Sequence, residues 1–127
     1  MTQAQKELDI NLRHNTLQEA LYCRLKEEYG SENVGTELQS GVGTSVDVIV
    51  RLINELWFYE IKTALSPRIC LRQALGQLLE YAFWPGAQNA SRLIVVGETA
   101  LDEEGKMYLH KLKERFSLPI AYEQIVI

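Results

Sequence analysis

A chain of 127 residues, 46% hydrophobic, 24% charged and 9% aromatic, is long enough for one domain that buries roughly 65–70% of its unfolded surface. That composition excludes a disordered, collagen-like or low-complexity chain, and apolar runs such as Leu56–Tyr59 and Leu93–Val96 are too short to span a bilayer. Thirteen Lys and Arg against seventeen Asp and Glu leave a formal net charge of −4, which excludes a wholly electrostatic nucleic-acid coat but not a local basic face.

The first residues, with Gln3, Lys6, Glu7 and Asp9, put no apolar stretch behind a basic start. No signal peptide is expected, and the chain reads as soluble, cytoplasmic and unattached to membrane. Residues 1–14 form a polar arm in which Leu8, Ile10 and Leu12 alternate, as in a frayed helix or a dimerisation arm. The single domain is expected over 15–127. From Asn15, Leu17, Ala20, Leu21 and Leu25 recur at helical spacing; Asn15 or Thr16 is the expected cap and Gly30 the stop. Val34–Leu38 predicts a strand, residues 39–44 a turn, and the β-branched run Ser45–Ile53 a second strand. Asn54-Glu55 breaks it, and Leu56–Ala64 resumes as the other half of a tight hairpin. Ser66-Pro67 caps and opens a helix to about Phe83, ended by Pro85-Gly86. Arg92–Gly97 predicts a strand buried on both faces, Asp102–Phe116 a helix, and Pro119–Ile127 a last strand. The order predicts an α/β domain with a central mixed sheet flanked by helices. Cys23 and Cys70, 47 positions apart with no CxxC, read as small buried thiols, and His14 and His110 are not spaced as zinc ligands.

Charges interrupt two of these strands. Asp47 breaks the apolar run Val46-Asp47-Val-Ile-Val50. Glu60 and Lys62 break the paired strand 13 positions later, and both point to one face because strand side chains alternate. Burying such charges is costly unless they pair or hold a metal. Two readings stand: an Asp–Lys ion pair, or a cation site with a lysine beside it. Glu19, next to the apolar stripe of the first helix, is a third carboxylate expected at the same sheet edge. On the second helix Gln73, Gln77 and Tyr81 stand in one row at i, i+4 and i+8, with Arg68 and Arg72 in a neighbouring row. Trp57, Phe58 and Tyr59 must face both sides of their strand and read as core. Gly41-Val-Gly43-Thr-Ser precedes a strand rather than a helix, so it is a turn and no phosphate cradle.

Asp47, then Glu60-Ile61-Lys62 on the next strand, then Gln77-Leu-Leu-Glu-Tyr81 on the following helix together resemble the PD-(D/E)XK nuclease superfamily. The Gln-xxx-Tyr signature is similar to that of the RecB-type branch, nuclease domains found with helicases and in phage defence. The resemblance covers about residues 16–98. It departs from the family name at Val46, where the proline would stand. A second Glu-x-Lys, Glu104-Gly105-Lys106, lies in a polar segment with no strand, and context rejects it.

The resemblance implies a restriction-endonuclease-like αβββαβ core, extended here by a C-terminal helix and strand. It also implies a metal-dependent hydrolase of DNA phosphodiester bonds. Asp47, Glu60 and the Ile61 carbonyl would ligate Mg²⁺ or Mn²⁺ through hard oxygen donors. Lys62 would hold the attacking water, and Glu19 would assist indirectly. Gln77 would orient water or phosphate, with Tyr81 bracing it. Tyr81, Arg68 and Arg72 would contact the nucleic acid. Two alternatives remain at this point. One is a catalytically silent nuclease-fold module that binds a helicase or another defence or repair protein. The other is a small homodimeric junction-resolving enzyme.

Overall fold

The computed structural model describes residues 2–39, 45–87 and 89–127, with the backbone alone for 37–39. Helix α1 (Gln3–Tyr29) starts where the Thr2 hydroxyl accepts the Gln5 N–H at 3.1 Å and stops at Gly30, whose φ of 92° favours glycine. Strands β1 (Val34–Gln39), β2 (Ser45–Leu52) and β3 (Glu55–Ile61) follow a short 3₁₀ turn at Ser31–Asn33. Helix α2 (Pro67–Phe83) is opened by Ser66, whose hydroxyl accepts the Ile69 N–H. Strand β4 (Arg92–Gly97), helix α3 (Glu103–Phe116) and strand β5 (Ile120–Gln124) complete the chain.

The five strands lie in the order β1-β2-β3-β4-β5. The first three are antiparallel neighbours, and β3-β4 and β4-β5 are parallel. The chain is therefore α/β with a mixed sheet flanked by helices, as the order of elements predicts. Each face of the sheet carries its own core. Leu17, Leu21 and Leu25 of α1 pack on Val48, Val50, Trp57, Tyr59, Ile94 and Val96. Leu71, Ala74, Leu78 and Tyr81 of α2 pack on Ile49, Phe58, Leu93 and Val95 on the other face. Trp57 and Tyr59 thus serve one layer and Phe58 the other, the core role expected of them. Leu93–Val96 is fully buried on both faces, as a run without polar breaks requires in a parallel pair. Among the described residues no helix is long and apolar enough to cross a membrane.

Several details differ from expectation: β3 ends at Ile61 rather than Ala64, so Lys62 lies just past it, and β5 spans Ile120–Gln124 rather than Pro119–Ile127. The arm is helical: residues 3–14 are continuous with α1, and Thr16, read as a cap, returns its hydroxyl to the Leu12 carbonyl at 2.9 Å. No Pro or Gly interrupts the segment, and the contacts Gln3–Glu7 and Gln5–Asp9 support it at i, i+4. Its apolar residues Leu8, Ile10 and Leu12 are all exposed, so no buried stripe announced it. The β2–β3 connection is Ile53-Asn54, because Glu55 already pairs with Leu52. Cys70 is buried, with its thiol on the Ala64 carbonyl at 3.1 Å, but Cys23 is exposed. Two residues before Leu25, Cys23 points away from the core on a helix with 3.6 residues per turn. Of the turn expected at residues 39–44, Gln39 instead ends β1, and residues 40–44, with the glycines of the rejected cradle, lie outside the described residues.

Candidate active site

The sheet brings Asp47 and Glu60 together at one end, where β2 begins and β3 finishes. Val48 pairs with Tyr59, and one step further along that register Asp47 faces Glu60. The ladder does not close there in the ordinary way, because the Ile61 N–H donates instead to Asp47 Oδ2 at 2.8 Å. Glu60 shares the face of Phe58 and so turns toward the layer of α2.

Glu60 is 5% exposed. Its Oε2 lies 3.4 Å from Lys62 Nζ, and its Oε1 is buried with no hydrogen-bond partner among the described residues. Burial, reinforced by the charge of Asp47 and opposed by Lys62, pushes the Glu60 carboxyl up to about 7. Lys62 is anchored by its own N–H, which donates to the Val96 carbonyl at 2.9 Å, leaving the ammonium at the strand end. Tyr81 of α2 is buried, and its phenol is pushed up to about 12, by burial first and then by Glu60 and Asp47. The phenol is therefore within electrostatic reach of both acids.

Helix α1 reaches Asp47 from the opposite layer. Gln18, a buried amide, donates to the Asp47 carbonyl at 2.8 Å. His14 Nε2 lies 3.1 Å from Asp47 Oδ2. The imidazole pKa is raised, by the Asp47 hydrogen bond first, against the opposing effect of burial. Neither residue was expected at the site. With the helix taken to begin at Asn15, His14 fell into the arm. Yet His14, Gln18, Leu21 and Leu25 follow one helix face at i, i+4, i+7 and i+11, so His14 extends the buried stripe by one turn.

That periodicity also places Glu19, which lies 100° round the helix from Gln18. Glu19 is exposed and within 3.7 Å of the Cys23 thiol, and the contacts at Asp47 come from His14 and Gln18 instead. Gln77 is exposed and makes no hydrogen bond to a described residue, as is the case for Gln73; Arg68 and Arg72 are exposed on α2. The structure thus brings together Asp47, Glu60, Ile61 and Lys62, adds His14 and Gln18, has the Tyr81 phenol within electrostatic reach, and leaves Glu19 and Gln77 outside the hydrogen-bonded cluster.

Among the described residues no group of three or more His, Cys, Asp or Glu is arranged to hold a metal ion. The pair of carboxylates meets a looser requirement. Mg²⁺ binds through one or two carboxylates and keeps waters or phosphate oxygens elsewhere. A buried carboxylate oxygen with no partner, such as Glu60 Oε1, is the kind of orphan that a cation satisfies. The chain matches no protein-family model, no curated protein and no solved structure.

Proposed function

We propose that this chain is a metal-dependent nuclease of the PD-(D/E)XK type that hydrolyses phosphodiester bonds in DNA. The observation that carries the reading is the pair Asp47 and Glu60 on adjacent strand ends, with Glu60 Oε1 buried and unsatisfied and Lys62 3.4 Å from Oε2. The order α1-β1-β2-β3-α2-β4 supports the αβββαβ core that the resemblance implies, and Tyr81 beside both acids supports its helix motif.

Asp47, Glu60 and the Ile61 carbonyl oxygen are the groups that would hold Mg²⁺ or Mn²⁺. When bound, such an ion acts as a Lewis acid that makes water nucleophilic near neutral pH and offsets phosphate charge. The remaining work falls to side chains. The Ile61 N–H and His14 both engage Asp47 Oδ2, which fixes the orientation of that carboxylate. The Lys62 ammonium would orient the attacking water and offset the negative charge that develops on the phosphate. Tyr81, buried on α2, would help keep bulk water from the acids, which strengthens their charges. Arg68 and Arg72, exposed on α2, supply cationic contacts for backbone phosphates. Gln77, also exposed, would meet the substrate from the same helix. Glu19 has no part in this reading.

Cleavage of labelled single-stranded, double-stranded and four-way-junction DNA in Mg²⁺, Mn²⁺ or EDTA tests the proposal. Metal-dependent cutting that slows by about 100-fold or more in Lys62→Ala, with unchanged circular dichroism, is expected. A variant that cuts like the parent would remove Lys62 from the centre. Preference for the junction, together with a dimer in sedimentation, would point to a resolving enzyme.

A second reading is compatible with the same fold, in which no three-ligand group occurs among the described residues. On it the chain is a silent nuclease-fold module that docks on a helicase or another defence or repair protein. Calorimetry with Mn²⁺ separates the two: binding lost in Asp47→Ala belongs to the nuclease, and equal heats in both proteins to the module.

A further inference from the structure

Next to the carboxylate cluster lies an ion pair that the reaction above does not use. Arg13 precedes His14 on α1, and Glu98 follows the last residue of β4. Arg13 Nε donates to both Glu98 oxygens at 3.1 Å, and Nη2 donates to Oε1. The pair ties α1 to the carboxyl end of β4, the strand whose Val96 carbonyl anchors Lys62. Arg13 is thereby held on α1, the layer opposite α2, at the strand end where Lys62 meets β4.

Glu98 engages Nε and Nη2, leaving Nη1 without a partner among the described residues. The Arg13 side chain is 46% exposed, whereas that of Glu98 is 17% exposed. An exposed ion pair stabilises a fold little by itself. A guanidinium fixed along one edge, however, has lost much of its rotamer freedom before a ligand arrives, and its free edge suits a phosphate oxygen. Its place in the chain adds to the argument: the next residue, His14, is in contact with Asp47, so Arg13 cannot move far from the acids without uncoupling α1 from the site.

We propose that Arg13, held by Glu98, is a substrate-positioning residue whose free guanidinium edge receives a backbone phosphate of the DNA strand beside the bond to be cut. The proposal rests on the nuclease reading and assigns part of its substrate recognition to α1, where the sequence pattern gave no cationic contact.

Binding is measured by fluorescence anisotropy of labelled single-stranded and duplex oligonucleotides, with Mg²⁺ and Lys62→Ala as the background, from 50 to 200 mM KCl. Arg13→Ala is expected to weaken binding about tenfold and to reduce the slope of log affinity against log salt by about 0.9 on duplex or 0.7 on single strands. Arg13→Lys, which keeps the charge, should restore the slope. Glu98→Ala breaks the same ion pair and should match Arg13→Ala in thermal stability while keeping the salt slope. With Lys62 present, Arg13→Ala should raise KM and leave kcat close to that of the parent. If Arg13→Ala keeps the parent's affinity and slope while the parent cuts DNA, this proposal alone is overturned. A parent that neither cuts nor binds DNA overturns the nuclease reading and this proposal with it.

Discussion

Asp47 and Glu60 are neighbours of one chemical type in unlike surroundings. Asp47 Oδ2 takes the Ile61 N–H and contacts His14, whereas Glu60 is desolvated, has one oxygen unpaired and is pushed up to about 7. A raised carboxyl pKa opposes folding once the unfolded chain ionises. Below the ordinary glutamate value of 4.5 the residue is neutral in both states and costs nothing. Between there and about 7 the unfolded state releases its proton first, so stability falls as pH rises, and above that the cost is complete. His14 adds a slope of the same sign: its raised pKa stabilises the fold below 6.5, and that gain is lost as pH climbs through its folded value. The metal-free protein should therefore have a lower urea midpoint at pH 8 than at pH 5. Glu60→Gln should flatten the profile and at pH 8 exceed the parent by about 2 kcal/mol. A profile as steep as the parent's would show that Glu60 is not the group concerned. The acids and Lys62 were legible in the sequence because a charge inside a β-branched run has few innocent explanations. His14 was not, because its partner Asp47 lies 33 positions away, and only the full length of α1 puts it on the inward face.

At the level of elements, every strand and helix with a buried side was legible, though β3 and β5 end three residues before the sequence suggests, and α1 was misjudged in the part that has no fully buried residue. Burial in α1 is confined to Leu17, Gln18, Leu21 and Leu25, so apolar periodicity was silent over its first three turns. What extends the helix there is propensity, the Thr2 cap and i, i+4 polar pairs, signals worth tenths of a kcal/mol each. The continuity is testable at Asn15, an exposed residue at the boundary between arm and domain that the sequence suggested. Asn15→Pro removes one helical hydrogen bond and introduces a clash, at a cost of about 3 kcal/mol within an intact helix. A hinge at the same place would tolerate it. The expected result is a lower denaturation midpoint and less helical ellipticity; an unchanged midpoint would mean that residues 3–14 are an independent arm. On the proposed nuclease reading the substitution should also slow DNA cleavage, since Arg13 and His14 lie just ahead of the break.

For the molecule as a whole, the cluster draws on three layers at once: Asp47, Glu60 and Lys62 from the sheet, His14 and Gln18 from α1, and Tyr81 from α2. The order of layers could be read from the alternation of elements, but contact between α1 and Asp47 depends on how far the helix overhangs the strand ends, which pattern alone does not encode. A site assembled this way is complete only in the folded chain, so a cation held there must stabilise the whole domain by linkage. At a concentration one hundred times its dissociation constant, Mg²⁺ or Mn²⁺ should add about 2.7 kcal/mol to the free energy of unfolding. Asp47→Ala, which removes one carboxylate, should abolish most of that gain. The gain should also shrink from pH 8 to pH 5, because the proton that Glu60 takes up competes with the cation for the same oxygens. Urea titrations of the parent and Asp47→Ala at both pH values, with and without metal, measure all of these terms together. Equal metal stabilisation in the two proteins would place the cation elsewhere on the surface. Stabilisation that is lost in Asp47→Ala and weakened at pH 5 would tie it to the carboxylate pair that the sheet brings together.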